Sequence, residues 1–287
     1  MKNLKYYLQK AYKEKFAIGQ FNCSDFSQMK AIVQASYNLK SPVIIGTSEG
    51  ESKFLGLEEV VALRNVLRKK TGLPIFLNLD HAKSFEYIKE AIKAGYDMVH
   101  FDGSKLPLAE NTRISQQVAN FAGWRGVIVE GEVGRFGTDA SKVYQEKFEI
   151  KEENLTNPDE AKEYVKKTKV NVLAISVGTF HGLDSEGVSP NIRLDRLSEI
   201  ASHISIPMVL HGGSGTPEND MKEAIQLGIV KININTDSRR AFSNALRQAL
   251  LEDPTEITPY KYLGKPIEAV QRVVEEKIQL FGSSNRI

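Results

Sequence analysis

Residues 73–102 read LPIFLNLDHAKSFEYIKEAIKAGYDMVHFD, and one complete repeat of the fold lies in them. LPIFLNLD (73–80) and DMVHFD (97–102) are short, nearly continuous apolar runs, the pattern of parallel strands covered on both faces. Between them SFEYIKEAIKAG (84–95) carries apolar residues at helical spacing, with Ser84 as its cap and Gly95 as a helix stop. Strand, helix and parallel strand follow one another within thirty residues. The first strand ends by setting an acid beside an imidazole, Asp80-His81. A turn alone would account for one such pair.

The same alternation extends in both directions. FAIGQF (16–21), PVIIGT (42–47), VIVEGE (127–132), VNVLAISVG (170–178), IPMVLHG (206–212) and IVKINI (229–234) read as further strands, giving eight in all. Amphipathic segments such as FSQMKAIVQASYNL (26–39) and PENDMKEAIQLG (217–228) separate them, the latter closing on Gly228. Eight strands alternating with helices predict an α/β protein, a single (β/α)8 TIM barrel spanning residues 1–287 as one domain. A doubly wound open sheet is the runner-up, but no G-x-G-x-x-G follows the first strand. The long irregular stretch 134–160 after the fifth strand reads as a functional loop or lid. PIEAVQRVVEEKIQLF (266–281) reads as a further amphipathic helix, packed on the barrel or on a partner subunit.

Composition narrows the function. Of 287 residues, 41% are hydrophobic and 26% charged, with a formal charge of +2, so nothing argues for a nucleic-acid or anionic-membrane partner. One cysteine, Cys23, excludes an internal disulfide framework and suits a reducing cytoplasm. The lysine-rich start lacks a signal peptide's apolar core, and no apolar run reaches the roughly 20 residues of a membrane span. The expectation is a cytoplasmic protein.

In this architecture the active site lies where strands end. Strand 3 ends in Asp80-His81, strand 4 in Asp102-Gly103-Ser104 and strand 5 in Glu130-Gly131-Glu132; strand 6 runs into Gly178-Thr179-Phe180-His181-Gly182. Strand 7 ends in His211-Gly212-Gly213-Ser214 and strand 8 in Asn233-Ile234-Asn235-Thr236. A lone histidine at such a place is usually structural. Three on one rim beside carboxylates point to a metal: His81, His181 and His211 as ligands suit Zn²⁺ with one coordination position open to substrate. Asp102 and Glu132 read as acceptors that orient ligand imidazoles, as direct ligands at an alternative metal position, or as buried partners of the inward-pointing Lys231. His100 is expected to pack or hydrogen-bond inside the barrel, and His203 to be a surface or helix-end residue. Glycine-rich turns after strands 6 to 8 let backbone amides approach an anion, which beside a metal suggests a phosphorylated substrate.

Taken in order, Asp-His (80–81), FDGS (101–104), EGEVG (130–134), GTFHG (178–182), HGGSG (211–215) and KININTDSR (231–239) resemble the class II, zinc-dependent ketose-bisphosphate aldolases, over nearly the whole chain. The resemblance implies zinc on the three histidines and Asp80 as proton donor. It implies dihydroxyacetone phosphate held by Gly182, Gly212, Gly213, Ser214, Asn233, Ile234, Asn235 and Thr236, with Arg239 at the distal phosphate. It also implies a homodimer or homotetramer and, as in many members, a monovalent cation beside the phosphate. Fructose 1,6-bisphosphate is the expected substrate and its epimer tagatose 1,6-bisphosphate the alternative. The chain departs from the family pattern at Ala82, often glycine, at Ser185, often lysine, and in the loop after strand 5, where Asp139 and Glu146 compete for a catalytic role.

Rival readings fare worse. A Schiff-base aldolase needs an inward lysine near the rim, and strand 6 has none. A non-catalytic sugar-phosphate-binding protein would be expected to lack a ligand or the acid. A metal-dependent hydrolase on the same barrel would want His-x-His at the end of strand 1.

Overall fold

Eight parallel strands close on themselves in chain order in the computed structural model of the chain, which describes residues 2–135, 150–182 and 189–287. They are β1 (Ile18–Asn22), β2 (Val43–Ser48), β3 (Ile75–Ala82), β4 (Met98–Phe101), β5 (Ile128–Val133), β6 (Val172–Ile175), β7 (Met208–Leu210) and β8 (Ile229–Ile234). The seam is regular: β1 pairs with β2 at Gln20↔Ile44 and with β8 at Gln20↔Asn233. The architecture is the (β/α)8 barrel expected from the sequence.

Strand boundaries shift by a few residues from the apolar runs, because pairing ends where a loop must leave the sheet. VNVLAISVG contributes only Val172–Ile175 to β6, and β3 continues to Ala82, past Asp80-His81. The segment 26–39 is helical as Phe26–Leu39, capped by the Asp25 carboxylate on the Gln28 amide. The helix Phe85–Ala94 starts under Ser84 and stops at Gly95, whose φ of 112° a side chain would resist. The helix Glu218–Gln226 ends at Leu227, and Gly228 adopts the left-handed turn one residue later. No helix among the described residues is long and apolar enough to cross a membrane.

Two separate cores hold the barrel. One lies between sheet and helices, including Leu77, Leu79, Val99, Leu173 and Ile232. The other fills the barrel at the start of its strands, where Ile18, Ile44, Phe76, Met98, Ile128 and Val172 meet Leu4, Tyr7 and Leu8 of the N-terminal helix Leu4–Glu14. That helix stoppers the end opposite the strand termini. Polarity therefore rises along each inward face: β3 presents Phe76, then Asn78, then Asp80, and β1 presents Ile18, Gln20 and Asn22. The middle layer is stitched by amides, Asn78 Nδ2 donating to Gln20 Oε1 at 2.8 Å and Gln20 Nε2 to Asn22 Oδ1 at 3.1 Å. Gly46 leaves them room, since a Cβ there would lie 2.3 Å from Asn22 Oδ1.

Candidate active site

Neighbours on a strand point to opposite faces, so Asp80 and His81 should not both face the barrel mouth. They do because His81 takes a left-handed backbone, φ 52°, where the β3–β4 register shifts between Leu79 and Ala82. Such a conformation is uncommon for a residue other than glycine and marks a held geometry. Both side chains line a cavity of about 480 Å³ at the strand ends, within the range of small-molecule sites.

The three histidines singled out in the sequence converge there. The His81 ring lies 4.8 Å from that of His181 and 4.7 Å from that of His211, and the His181 and His211 rings are 5.8 Å apart. Carboxylates fix two of the tautomers. His81 Nδ1 donates to Asp102 Oδ2 at 3.0 Å, and His211 Nε2 to Glu130 Oε1 at 2.6 Å. Their remaining nitrogens, His81 Nε2 and His211 Nδ1, face each other at 2.9 Å. With both protons committed outward, those two nitrogens turn their lone pairs toward one point, which a cation bound to both would occupy. Carboxylates behind imidazoles are the usual outer support of a metal site. Burial together with His81 and His211 pushes His181 well below the ordinary histidine range, which keeps it a neutral donor.

Further groups join this centre. His100, fully buried inside β4, accepts the His81 backbone N–H on Nδ1 at 3.2 Å and sets Nε2 3.0 Å from Glu132 Oε2. It stays inside the barrel as expected, yet one of its ring nitrogens also falls within the cluster of Asp80, His81 and His211. Asp102 sits behind His81 and is ion-paired with Lys83. Glu132 groups with His81 and Asp102 as a second set of close donor atoms. Neither Asp102 nor Glu132 is the partner of Lys231: that lysine donates to Glu130 Oε2 at 2.8 Å and to Asn233 Oδ1 at 2.7 Å. Glu130 was legible as inward, since it shares parity with Glu132, but its role behind His211 was missed. His203 closes the helix Leu194–His203, away from the site.

Asp80 is buried, its oxygens accepting Asn22 Nδ2 at 3.1 Å and Asn233 Nδ2 at 3.2 Å. Burial alone would raise its pKa, but the neighbouring His81, His100 and His211 outweigh it and hold the carboxyl well below its usual range. Opposite, Gly182, Gly212, Ser214, Asn233, Asn235, Thr236 and Arg239 line the cavity. Gly212 needs its φ of 68°, and a Cβ on it would lie 2.3 Å from the Phe180 carbonyl oxygen. Two residues of the expected anion site do not reach the cavity. The Gly213 N–H is spent on the Asn233 carbonyl at 3.1 Å, and Ile234 points into the outer core. Arg239 stands in the first turn of the helix Thr236–Glu252 and donates from Nη2 to Glu51 Oε1 at 2.6 Å. Asp139, Glu146 and Ser185 lie outside the described residues.

A sequence model described as fructose-bisphosphate aldolase class-II matches residues 2–286. The chain is 38% identical over 282 residues to a probable fructose-bisphosphate aldolase of Bacillus subtilis (strain 168), covering 97% of this chain and 96% of that one. It is 35% identical over 279 residues to a sulfofructosephosphate aldolase of Alkalicoccus urumqiensis, with the same coverage. Among solved structures it is similar to the YdjI aldolase of Escherichia coli K12, with a TM-score of 0.83 and 27% identity over 100% of this chain and 99% of the other.

Proposed function

Because the chain belongs to the class II fructose-bisphosphate aldolase family, we propose that it is a zinc-dependent aldolase acting on fructose 1,6-bisphosphate. It would cleave this sugar reversibly to dihydroxyacetone phosphate and glyceraldehyde 3-phosphate. The observation that carries the reading is the facing pair His81 Nε2 and His211 Nδ1, with both tautomers set by carboxylates and Asp80 alongside. Three imidazoles, His81, His181 and His211, suit Zn²⁺ among the common divalent ions. When bound, the ion supplies Lewis acidity that polarises the ketone and stabilises negative charge on its oxygen.

The protein's own groups do the rest. The Asp80 carboxylate takes the proton of the C4 hydroxyl. The C3–C4 bond breaks as C4 becomes the aldehyde carbon, and the bonding pair passes into the enediolate of the dihydroxyacetone phosphate half. In the reverse direction Asp80 returns the proton, as the proton donor of condensation. Asn22 and Asn233 steady both carboxylate oxygens for this exchange. Gly182, Gly212, Ser214, Asn233, Asn235 and Thr236 bind the phosphate of the ketone half, and Arg239 meets the distal phosphate. The buried Asn235 Oδ1 has no hydrogen-bond partner among the described residues, which favours a monovalent cation beside that phosphate.

Assay of the purified protein with fructose and tagatose bisphosphates and with sulfofructose phosphate, before and after chelation, tests the proposal. Preferential, chelator-sensitive cleavage of fructose bisphosphate is expected. Full activity in excess chelator would sink the metal mechanism, and preference for another sugar would move the substrate while leaving the chemistry.

A further inference from the structure

Glu51 is 7% exposed, packed behind Asn22, Ser48 and Arg239 of the cavity lining, and four donors converge on its carboxylate. Oε2 accepts the Ser48 backbone N–H at 2.8 Å and Asn22 Nδ2 at 3.2 Å. Oε1 accepts Ser24 Oγ at 3.1 Å and Arg239 Nη2 at 2.6 Å. The first contact belongs to a capping box at the start of the helix Glu49–Leu55, where Ser48 and Glu51 bond each other's backbone amides. Three donors come from the β1 and β2 side of the mouth, and the fourth arrives from the helix after β8. The carboxylate is thus fixed by its own neighbourhood, and the arginine comes to it.

We propose that Glu51 is a positioning residue for the distal end of the substrate, holding the Arg239 guanidinium in place across the β8-to-β2 side of the cavity mouth. This rests on the aldolase reading, in which Arg239 meets the group farthest from the dihydroxyacetone phosphate half. An arginine side chain has large rotamer freedom, and ordering it before the substrate arrives removes that cost from binding. A charge-assisted contact to a fixed carboxylate does this ordering. Asn22 extends the connection, since its Nδ2 serves both Glu51 Oε2 and Asp80 Oδ2, the latter at 3.1 Å. Distal anchor and proton carrier therefore share one scaffold.

Glu51→Gln separates positioning from structure. Glutamine keeps the capping box, and its oxygen is claimed by the Ser48 amide and Asn22. Its NH₂ then faces Arg239, donor against donor. The zinc-loaded variant should show a KM for fructose 1,6-bisphosphate raised about tenfold with kcat within about threefold. Solvent deuterium exchange into dihydroxyacetone phosphate, which uses no distal group, should change far less than cleavage. In Arg239→Ala, adding Glu51→Gln should cost less than about twofold further, because the two residues act as one unit. Equal losses in cleavage and exchange, independent multiplication of the two effects, or a lowered KM would each overturn the proposal. A wild type that neither exchanges nor cleaves would defeat the aldolase reading instead. Crystal structures of wild type and Glu51→Gln then decide the positioning role on their own: it predicts a displaced or multiply placed guanidinium in the variant, and an unchanged Arg239 rotamer refutes it.

Discussion

His81 Nε2 and His211 Nδ1 lie 2.9 Å apart although 130 residues separate them in the chain. Each ring's other nitrogen is held by a carboxylate, Asp102 behind His81 and Glu130 behind His211. The barrel has aimed two acceptors at one point, and that arrangement governs the first expectation.

Removing the metal should abolish turnover, and Zn²⁺ should restore it. His181→Ala should lose both bound zinc, measured by elemental analysis of the dialysed protein, and cleavage activity. Retention of stoichiometric zinc by this variant would remove His181 from the ligand set.

Asp80→Ala should leave zinc and dihydroxyacetone phosphate binding intact while turnover falls. General acid–base help is worth roughly 10²–10⁴ in rate, so kcat within a fewfold of wild type would contradict a proton-carrying role. Zinc content and calorimetric binding of dihydroxyacetone phosphate are the controls.

Arg239→Ala should harm bisphosphate cleavage and spare dihydroxyacetone phosphate binding. Loss of a charge-assisted contact of about 1.5–3 kcal/mol corresponds to roughly a ten- to hundredfold drop in kcat/KM. Small, equal losses with the fructose and tagatose epimers would show that Arg239 does not hold the distal group.

Lys231→Met should destabilise the fold as well as the site. It leaves the fully buried Glu130 without its cation, and breaking a buried pair in this way costs about 3–5 kcal/mol. Burial would raise the Glu130 pKa, but Lys231, His100 and His211 together hold it below the ordinary value of 4.5. A group with a depressed folded pKa stabilises above its unfolded value and loses that contribution as pH falls through the folded one. In the variant the depression shrinks, so protonation of Glu130 relieves the penalty at a higher pH. The stability deficit in urea titrations should be full from pH 7 down to about 4.5 and shrink only below that, as pH falls through the variant's folded pKa. A deficit independent of pH would locate the damage elsewhere.

The barrel was legible because each apolar run of strand length is followed by a helix-period segment, and 26–39 and 229–234 match their elements end to end. The histidine cluster was legible because strand ends share a rim. What escaped depends on geometry that periodicity does not carry. Alternation forbids Asp80 and His81 from facing one way, and only the left-handed His81 backbone permits it. Parity sends both Glu130 and Glu132 inward, but cannot say which reaches His211 and Lys231. Glu51 reads as one charge among several in EGESK; its contact to Arg239 crosses 188 residues of sequence.

The seam between β1 and β8 bears on how the chain becomes active. Asn22 lies at the end of β1, and His211 and Asn233 belong to the last two strand units. A nascent chain that has emerged only through β6 can bury much of its sheet, yet it lacks a nitrogen opposite His81 and the second amide on Asp80. Contacts this distant in sequence close late and slowly. Ion capture and turnover should therefore appear only when the first and last strands zip together, so recovery of activity in a refolding experiment times ring closure rather than collapse.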